Sequence, residues 1–351
     1  MTYLFNLLLV PIYYLLIHGT IRDKQKANKY FAFIVCTHAV LFRALANPYN
    51  YSDTEFYALA YQDLADASWI EFLLYTKEWG VGYIFLNWIL GHINSDPQFL
   101  FASLSVISIV PVIWFYYKTS NNLLLSMMIY LTYPMMYYMG FGVVRQHAAV
   151  AYVLLSLYYI GEYNKSIPLA LLACSLHTSA ILALPFFFWR KFNIKKIGIV
   201  GYSVFVIIGL FAISFIAPLV IKYFEVSRYD DALVEEGTRN NVVPVVLMGS
   251  LLVMSAINGL KKKLEPRKFE ILSFLMYGLI IAIFSMGMDQ LGRATIYFFY
   301  VIPVTVTWLS KYNPKNKLIN TLYIFMVFVL IGILLYRGYE PGRYDYSFYW
   351  D

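Results

Sequence analysis

Residues 141–160, FGVVRQHAAVAYVLLSLYYI, are apolar enough for a membrane helix, yet they carry Arg145, Gln146 and His147 in a row near their start. A helix that crosses a bilayer needs about 20 mostly apolar residues. An arginine within such a span costs roughly 2.5–3.5 kcal/mol on insertion scales, so it usually faces a protein interior or a watery cavity and has a partner. The stretch therefore predicts a membrane helix with a functional cation. A structural pair with a buried carboxylate is the alternative.

The composition of the whole chain agrees with a membrane protein. Of its 351 residues, 60% are apolar and only 13% are charged, whereas soluble proteins average about 25% charged residues. An ordinary soluble globule is therefore excluded. The net charge of +7 does not indicate nucleic-acid binding, because the lysines and arginines gather in short loops between apolar spans, as orientation signals do.

The apolar pattern predicts an all-α, polytopic integral membrane protein with a single domain over residues 1–351. We expect about 11–12 transmembrane or partial helices, and several candidate spans are short for a full crossing. The candidate spans are 3–18, 30–45, 80–94, 98–117, 123–139, 141–160, 167–189, 197–221, 242–259, 270–288, 291–310 and 318–336.

Loop charges predict the orientation. Four basic loops, 22–29, 190–196, 261–268 and 311–317, hold 16 of the 27 lysines and arginines, which places them in the cytoplasm. Segments 46–79, 222–241 and 337–351 hold 14 of the 20 acidic residues and are expected on the opposite side.

The two longer outer loops differ in character. Loop 46–79 has an irregular amphipathic pattern and an acidic side, as of short helices lying on the membrane surface. Loop 222–241 is polar and mixed in charge, and it is either a lid over the substrate or a solvated connection.

The side on which Arg145 lies stays open at this stage. If residues 80–94, 98–117 and 123–139 all cross fully, Arg145 begins its helix near the cytoplasmic face. If 80–94 is re-entrant or lateral, Arg145 moves to the outer face and a later span is also partial. The connecting loops are too short and too weakly charged to decide.

Few other polar residues stand in or beside the apolar spans, and each has a structural alternative. Asp289 and Arg293 are four residues apart, so they can neutralise each other on one helix. His177 can bond a neighbouring carbonyl, Arg43 can extend to the interface, and Glu78 can be an interfacial carboxylate.

The combination favours group transfer from a lipid-linked diphosphate. Arginines grip a diphosphate through paired hydrogen bonds. A carboxylate or a histidine suits removal of a proton from a hydroxyl. We find no metal-binding His or Cys pair and no Gly-rich phosphate loop.

At these residues the chain resembles the EpsG family of Wzy-like polysaccharide polymerases, from about residue 50 to 310. The resemblance rests on Asp53 with Tyr57 and Tyr61, EWGVGYIFLN (78–87), VVRQHAA (143–149), SLHTSAI (175–181) and the late Arg293.

The resemblance implies a glycosyltransferase with GT-C-like architecture in the bacterial cytoplasmic (inner) membrane. Such proteins join oligosaccharide units carried on undecaprenyl diphosphate at the outer face of the membrane. They work beside a flippase and a chain-length regulator with a tyrosine kinase component. The expected ligands are the lipid-linked oligosaccharide and membrane lipid.

The resemblance also assigns roles to residues. Asp53 or Glu78 is the base for the acceptor hydroxyl, and His177 positions a phosphate or that hydroxyl. Arg145, Arg293 and Gln146 bind the diphosphate. No cofactor is expected; a divalent cation is left open, and the arginines can serve in its place.

Two other functions stay open at this stage. A flippase or transporter for lipid-linked oligosaccharide would use arginines in the same way, although transporters often show internal repeats and none is seen in this chain. A ligase like that of O-antigen would use the same donor with a different acceptor.

Overall fold

The chain folds into packed α-helices. A computed structural model describes residues 2–51, 53–75, 79–191, 242–259, 265–285, 295–312, 316–337 and 346–350. Within these ranges there is no strand, and a single isolated antiparallel bridge joins Ala46 and Phe348. The prediction of an all-α fold is confirmed for the described part of the chain.

The helices follow the apolar segments of the sequence. In the first half they are α1 Thr2–Thr20, α2 Lys24–Ala44, α3 Thr54–Ala65, α4 Trp69–Tyr75, α5 Val81–Ile93, α6 Pro97–Thr119 and α7 Leu123–Thr132. The later ones are α8 Val144–Tyr158, α9 Tyr163–Leu176, α10 Leu184–Lys191, α11 Val242–Ile257, α12 Pro266–Phe284, α13 Ile296–Phe299, α14 Ile302–Tyr312 and α15 Lys317–Arg337. Short 3-10 turns cover Pro48–Asn50, Tyr138–Phe141 and Thr178–Ala183.

The length of the helices bears on the number of membrane crossings. Among the described residues, α6 alone is long and apolar enough to cross a membrane by length and composition. Several other apolar helices have only 10–17 residues. These helices are compatible with a membrane protein, and the expected number of 11–12 spans stays a prediction.

Two predicted spans are interrupted. The span expected over 123–139 ends at Thr132, because the residue before Pro134 is disfavoured in a helical conformation. The span expected over 167–189 breaks at His177, whose backbone is extended (φ −151°, ψ 121°). Both breaks lie close to the predicted site residues.

The described helix ends that flank two of the basic loops, 261–268 and 311–317, meet at one end of the bundle, which we call the basic end. There Lys268, at the start of α12, donates to Asn121 over 3.3 Å, and Trp308 of α14 donates to the Thr119 carbonyl at the end of α6 over 3.0 Å. Asn258 and Asn320 bond each other over 2.9 Å, which brings the α11–α12 and α14–α15 connections together.

The opposite end, called the site end, holds the first turn of α8. Helices α8 and α9 are antiparallel, because Ser156 and Ser166 bond each other where α8 ends and α9 begins, and Arg267 of α12 lies 4.2 Å over the Tyr158 ring at that basic end. Arg145, in the first turn of α8, therefore lies far from the basic loops.

Helix α5 lies laterally at the site end. Gly80 and Gly82, at its start, face Ser175 at the end of α9. Asn94, directly after the last residue of α5, accepts a hydrogen bond from Tyr61 over 2.5 Å and leads into α6. Both termini of α5 are thus at the site end, and the topology of 80–94 relative to a membrane stays a prediction.

We call α3, α4 and α5 the lateral layer. A Cβ at Gly91 of α5 would lie 2.8 Å from the Ala65 Cα of α3, so glycine lets these helices approach closely. Burial raises the pKa of Tyr61 to about 12, so its hydroxyl stays a donor. Phe56 and Leu59 of α3 are 61% and 53% exposed, so α3 carries apolar side chains on its outer face.

The chain's end returns to the site end. Tyr346 stacks on Phe42 at a ring-centroid distance of 4.2 Å, and Tyr349 donates to the Leu45 carbonyl over 3.0 Å. The described part of the tail therefore braces the connection from α2 to α3, which leads to the lateral layer.

Candidate active site

The break after α7 delivers Arg145 to the site. Helix α8 starts at Val144, after the Tyr138–Phe141 turn and Gly142, so Arg145 is its second residue. The side chain is half-buried. Arg145 therefore lies at the start of a helix, directly after a folded turn, and not in the middle of a long helix.

Three aromatic rings surround the Arg145 guanidinium. Its Cζ lies 5.3 Å from the Tyr57 ring centroid, 5.1 Å from that of Trp79 and 5.3 Å from that of Tyr83. We call these three residues the aromatic box. Arg145 Nε also donates to the Tyr57 hydroxyl over 3.4 Å. Cations are attracted to the faces of such rings at these distances.

The aromatic box comes from the lateral layer. Tyr57 is on α3, Tyr83 is on α5 and Trp79 precedes α5, and the rings pack at 5.4–5.9 Å from one another. Tyr57 and Tyr83 are buried. The lateral layer thus forms one wall of the site.

No carboxylate balances the charge of Arg145 within the described residues. The ion pairs formed by these residues join Glu162 to Lys165 at 2.8 Å and to Arg267 at 3.8 Å, both at the basic end. The alternative of a structural pair with a buried carboxylate therefore has no support in this part of the chain. The aromatic rings carry no net charge, so the positive charge of the guanidinium is available to an anionic ligand.

His177 occupies the break between α9 and the Thr178–Ala183 turn. Its Nδ1 accepts from the Ser179 backbone N–H over 3.3 Å and lies 2.7 Å from Ser179 Oγ and 3.3 Å from the Tyr297 hydroxyl. A backbone N–H can only donate, so Nδ1 carries no proton. The hydrogen-bond network therefore assigns the proton to Nε2, which leaves His177 with an N–H to donate on its other side.

Gln146 connects the Arg145 helix to the His177 network. It is 6% exposed, and its side chain hydrogen-bonds with the Tyr297 hydroxyl. Tyr297 in turn lies 3.0 Å from Ser179 Oγ. Gln146 is thus placed to hold α8 against the His177 network, and its role in diphosphate binding stays a prediction.

Close backbone contact joins the two halves of the site. A Cβ on Gly80 would clash with the Ser175 carbonyl, two residues before His177. Gly80 follows Trp79 of the aromatic box directly. Arg145 also interacts electrostatically with His177. Arg145, the aromatic box and His177 therefore form one site.

Of the remaining predicted site residues, the structure describes Asp53. Asp53 is exposed at the N-terminus of α3, one turn before Tyr57, and its carboxylate makes no capping hydrogen bond. It lies at the edge of the site. Glu78, Arg293, Asp289 and loop 222–241 lie outside the described residues.

Sequence reasoning missed several contributors. The sequence resemblance includes Tyr57, Trp79 and Tyr83 but gives them no role, whereas the structure places their rings around the arginine. Ser179 lies in SLHTSAI and could have been noticed there. Tyr297 had no sequence signal. Among the described residues, no three His, Cys, Asp or Glu side chains gather as metal ligands.

Comparison with known proteins agrees with the sequence resemblance. A family model described as the EpsG family matches residues 33–348, nearly the whole chain. Comparisons with curated proteins and with solved structures found no match. The matched range includes the aromatic box, Arg145 and His177.

Proposed function

The chain belongs to the EpsG family, and from this premise we propose that it polymerises glycan repeat units carried on undecaprenyl diphosphate. Membership implies, in general terms, a Wzy-like polysaccharide polymerase in a membrane. The finer proposal is a GT-C-like glycosyltransferase with many membrane helices that acts at the outer face of the bacterial cytoplasmic membrane.

The single observation that supports this proposal best is the environment of Arg145. Its guanidinium lies among three aromatic rings and has no carboxylate partner within the described residues. A planar guanidinium suits a phosphate oxygen pair. A diphosphate is the ligand that such an uncompensated cation fits.

The proposed reaction lengthens the glycan by one unit. The growing chain on undecaprenyl diphosphate is the donor, and the terminal sugar of a new lipid-linked unit is the acceptor. The acceptor hydroxyl oxygen bonds to the anomeric carbon, and the bond from that carbon to the diphosphate oxygen breaks. The hydroxyl proton passes to Asp53 or Glu78. No change in oxidation state occurs.

The cationic side chains stabilise the leaving group. Charge builds on the diphosphate as its bond to the sugar breaks, and fixed positive groups lower the energy of that state. Arg145, with Arg293, supplies this charge. His177 donates its Nε2 proton in a hydrogen bond to a diphosphate or acceptor oxygen, while Ser179 and Tyr297 hold its ring.

The orientation of the bundle is compatible with an outer active site. The site end is opposite the loops that carry Lys268 and Asn258, and basic loops favour the cytoplasm. A flippase would then deliver the units to the same face, and a chain-length regulator would act on the product. Both are proposed partners.

Purified protein in liposomes with undecaprenyl-diphosphate-linked repeat units tests the proposal. A polymerase produces a ladder of longer glycans. Movement of the units across the bilayer without a ladder would instead indicate a flippase. Transfer to another acceptor without chain growth would indicate a ligase. Either result overturns the proposed function.

A further inference from the structure

A second arginine, Arg43, is buried close to the start of α8. It lies in the last turn of α2, where a long side chain is expected to extend to the interface. That expectation is wrong, because Arg43 is only 5% exposed. An arginine kept inside the bundle points to a defined role.

Hydroxyl and carbonyl groups of α6 hold this guanidinium. Nε donates to Ser105 Oγ over 3.3 Å, and Nη2 donates to the Leu104 carbonyl over 3.4 Å and to Ser108 Oγ. Within the described residues Arg43 forms no ion pair. Its planar guanidinium therefore links the end of α2 to one face of α6, at the level of Leu104, Ser105 and Ser108.

The Nη1 edge of the Arg43 guanidinium contacts the turn that precedes Arg145. A Cβ on Gly140 would clash with Arg43 Nη1 and would lie 3.3 Å from His147 Cδ2. Gly140 belongs to the Tyr138–Phe141 turn. A side chain at position 140 would therefore displace the Arg43 guanidinium or the turn itself.

His147 transmits the contact into α8. Its Nδ1 lies 3.0 Å from the Val143 carbonyl, across the first turn of the helix. His147 is 2% exposed, and its ring also interacts with the backbone of Met135 and Met136, just before the Tyr138–Phe141 turn. The ring packs against Gly140 and against the Tyr300 ring, whose centroid is 5.9 Å away. A shift of the turn would move this ring and the helix that also carries Arg145.

We propose that Arg43 is a positioning residue for the reaction, which sets the place of Arg145 through Gly140 and His147. The inference rests on the proposed function for its kinetic readout. Arg43 touches no substrate in this scheme. It fixes the Tyr138–Phe141 turn between α2 and α6, and hence the direction in which Arg145 leaves α8.

The test is a double-mutant cycle between positions 43 and 140, with turnover measured in liposomes. Arg43→Met and Gly140→Ala are each expected to lower turnover by up to about 100-fold, as a displacement of about 1 Å can. The double variant should lose about 100-fold rather than about 10,000-fold, because both changes break one contact. Additive losses would overturn the contact as the cause.

Two measurements separate positioning from a merely structural role. Arg43→Lys keeps the charge and loses the fork, so its turnover number should fall while the half-saturating donor concentration stays within about threefold. The thermal midpoint should stay near that of the wild type. Turnover lost only in proportion to unfolding, or Arg43→Lys with full turnover, would refute the positioning role.

Fluorescence provides a readout that does not need the reaction. Trp79 lies 5.1 Å from the Arg145 guanidinium, so its emission should change when undecaprenyl diphosphate binds, and Trp79→Phe identifies its share. Arg43→Met and Gly140→Ala should alter this change equally. If the wild type binds undecaprenyl diphosphate but forms no ladder, the proposed function is refuted and the positioning role of Arg43 is not. If the emission change on binding is the same in both variants as in the wild type, the positioning role is refuted.

Discussion

Replacing Arg145 by methionine should remove activity without unfolding the protein. Methionine keeps an unbranched side chain against the three rings, with sulfur–aromatic contacts of about 0.3–1.5 kcal/mol. The three lost cation–ring contacts were worth about 0.5–1 kcal/mol each at a partly exposed site. Removing a cation from an apolar span recovers roughly 2.5–3.5 kcal/mol. The gains of about 2.8–5 kcal/mol match or exceed the losses of about 1.5–3 kcal/mol, so the free energy of unfolding should fall by less than about 1 kcal/mol.

A structural ion pair would behave differently. Removing one partner of a buried pair costs about 3–5 kcal/mol, because the other charge is left alone. For Arg145 we instead expect turnover to fall by about 10²–10³, the loss seen when one preorganised charge-stabilising group is removed.

The assay pairs glycan-ladder formation in liposomes with thermal unfolding of the same preparation. Arg267→Met is the matched control, since Arg267 also lies over an aromatic ring, that of Tyr158 at 4.2 Å, but at the basic end. It should keep full turnover. Arg145→Met with turnover near the wild type, or with a collapse of stability and normal turnover per folded molecule, would refute the reasoning.

Three further predictions concern neighbouring residues. His177→Gln, which can donate from the Nε2 position, should keep more turnover than His177→Asn; the reverse order in ladder assays would contradict the Nε2–H assignment. Asp53→Asn should abolish turnover with little change in thermal midpoint if Asp53 is the base, since it is exposed and forms no capping bond; retained turnover would leave Glu78 as the candidate. Gly80→Ala should reduce both stability, by about 1–3 kcal/mol, and turnover, because the new methyl meets the Ser175 carbonyl. Gly19→Ala, with nothing within 4 Å, is its control and should lower neither stability nor turnover in the same unfolding and ladder assays.

The sequence predicted the helical class and the residues worth testing. Apolar composition alone excludes an ordinary soluble protein, because the chain has far fewer charged residues than the surface of a soluble protein carries. A lone arginine in an apolar stretch identified position 145. The SLHTSAI segment identified His177. Composition, a charge within an apolar stretch and a short motif are properties of neighbouring residues, so the sequence alone reveals them.

The partners of those residues depend on contacts between distant segments. Tyr57 and Tyr83 approach Arg145 only because α3 and α5 lie across the site end. Tyr297, which holds His177, is 120 residues away along the chain. No periodicity encodes which aromatic ring meets which cation, so the sequence could not pair these rings with Arg145.

For residues 141–160 the division is clear. The sequence by itself determined that an arginine stands where an apolar helix begins. The tertiary structure alone decided that this helix starts at Val144 and that Arg145 lies at the end opposite the basic loops. It also decided that Arg145 faces aromatic rings, while Arg43 is turned inward beneath Gly140. The physical reason is that insertion free energy depends on composition along the chain, whereas the partner of a charge depends on how the helices pack.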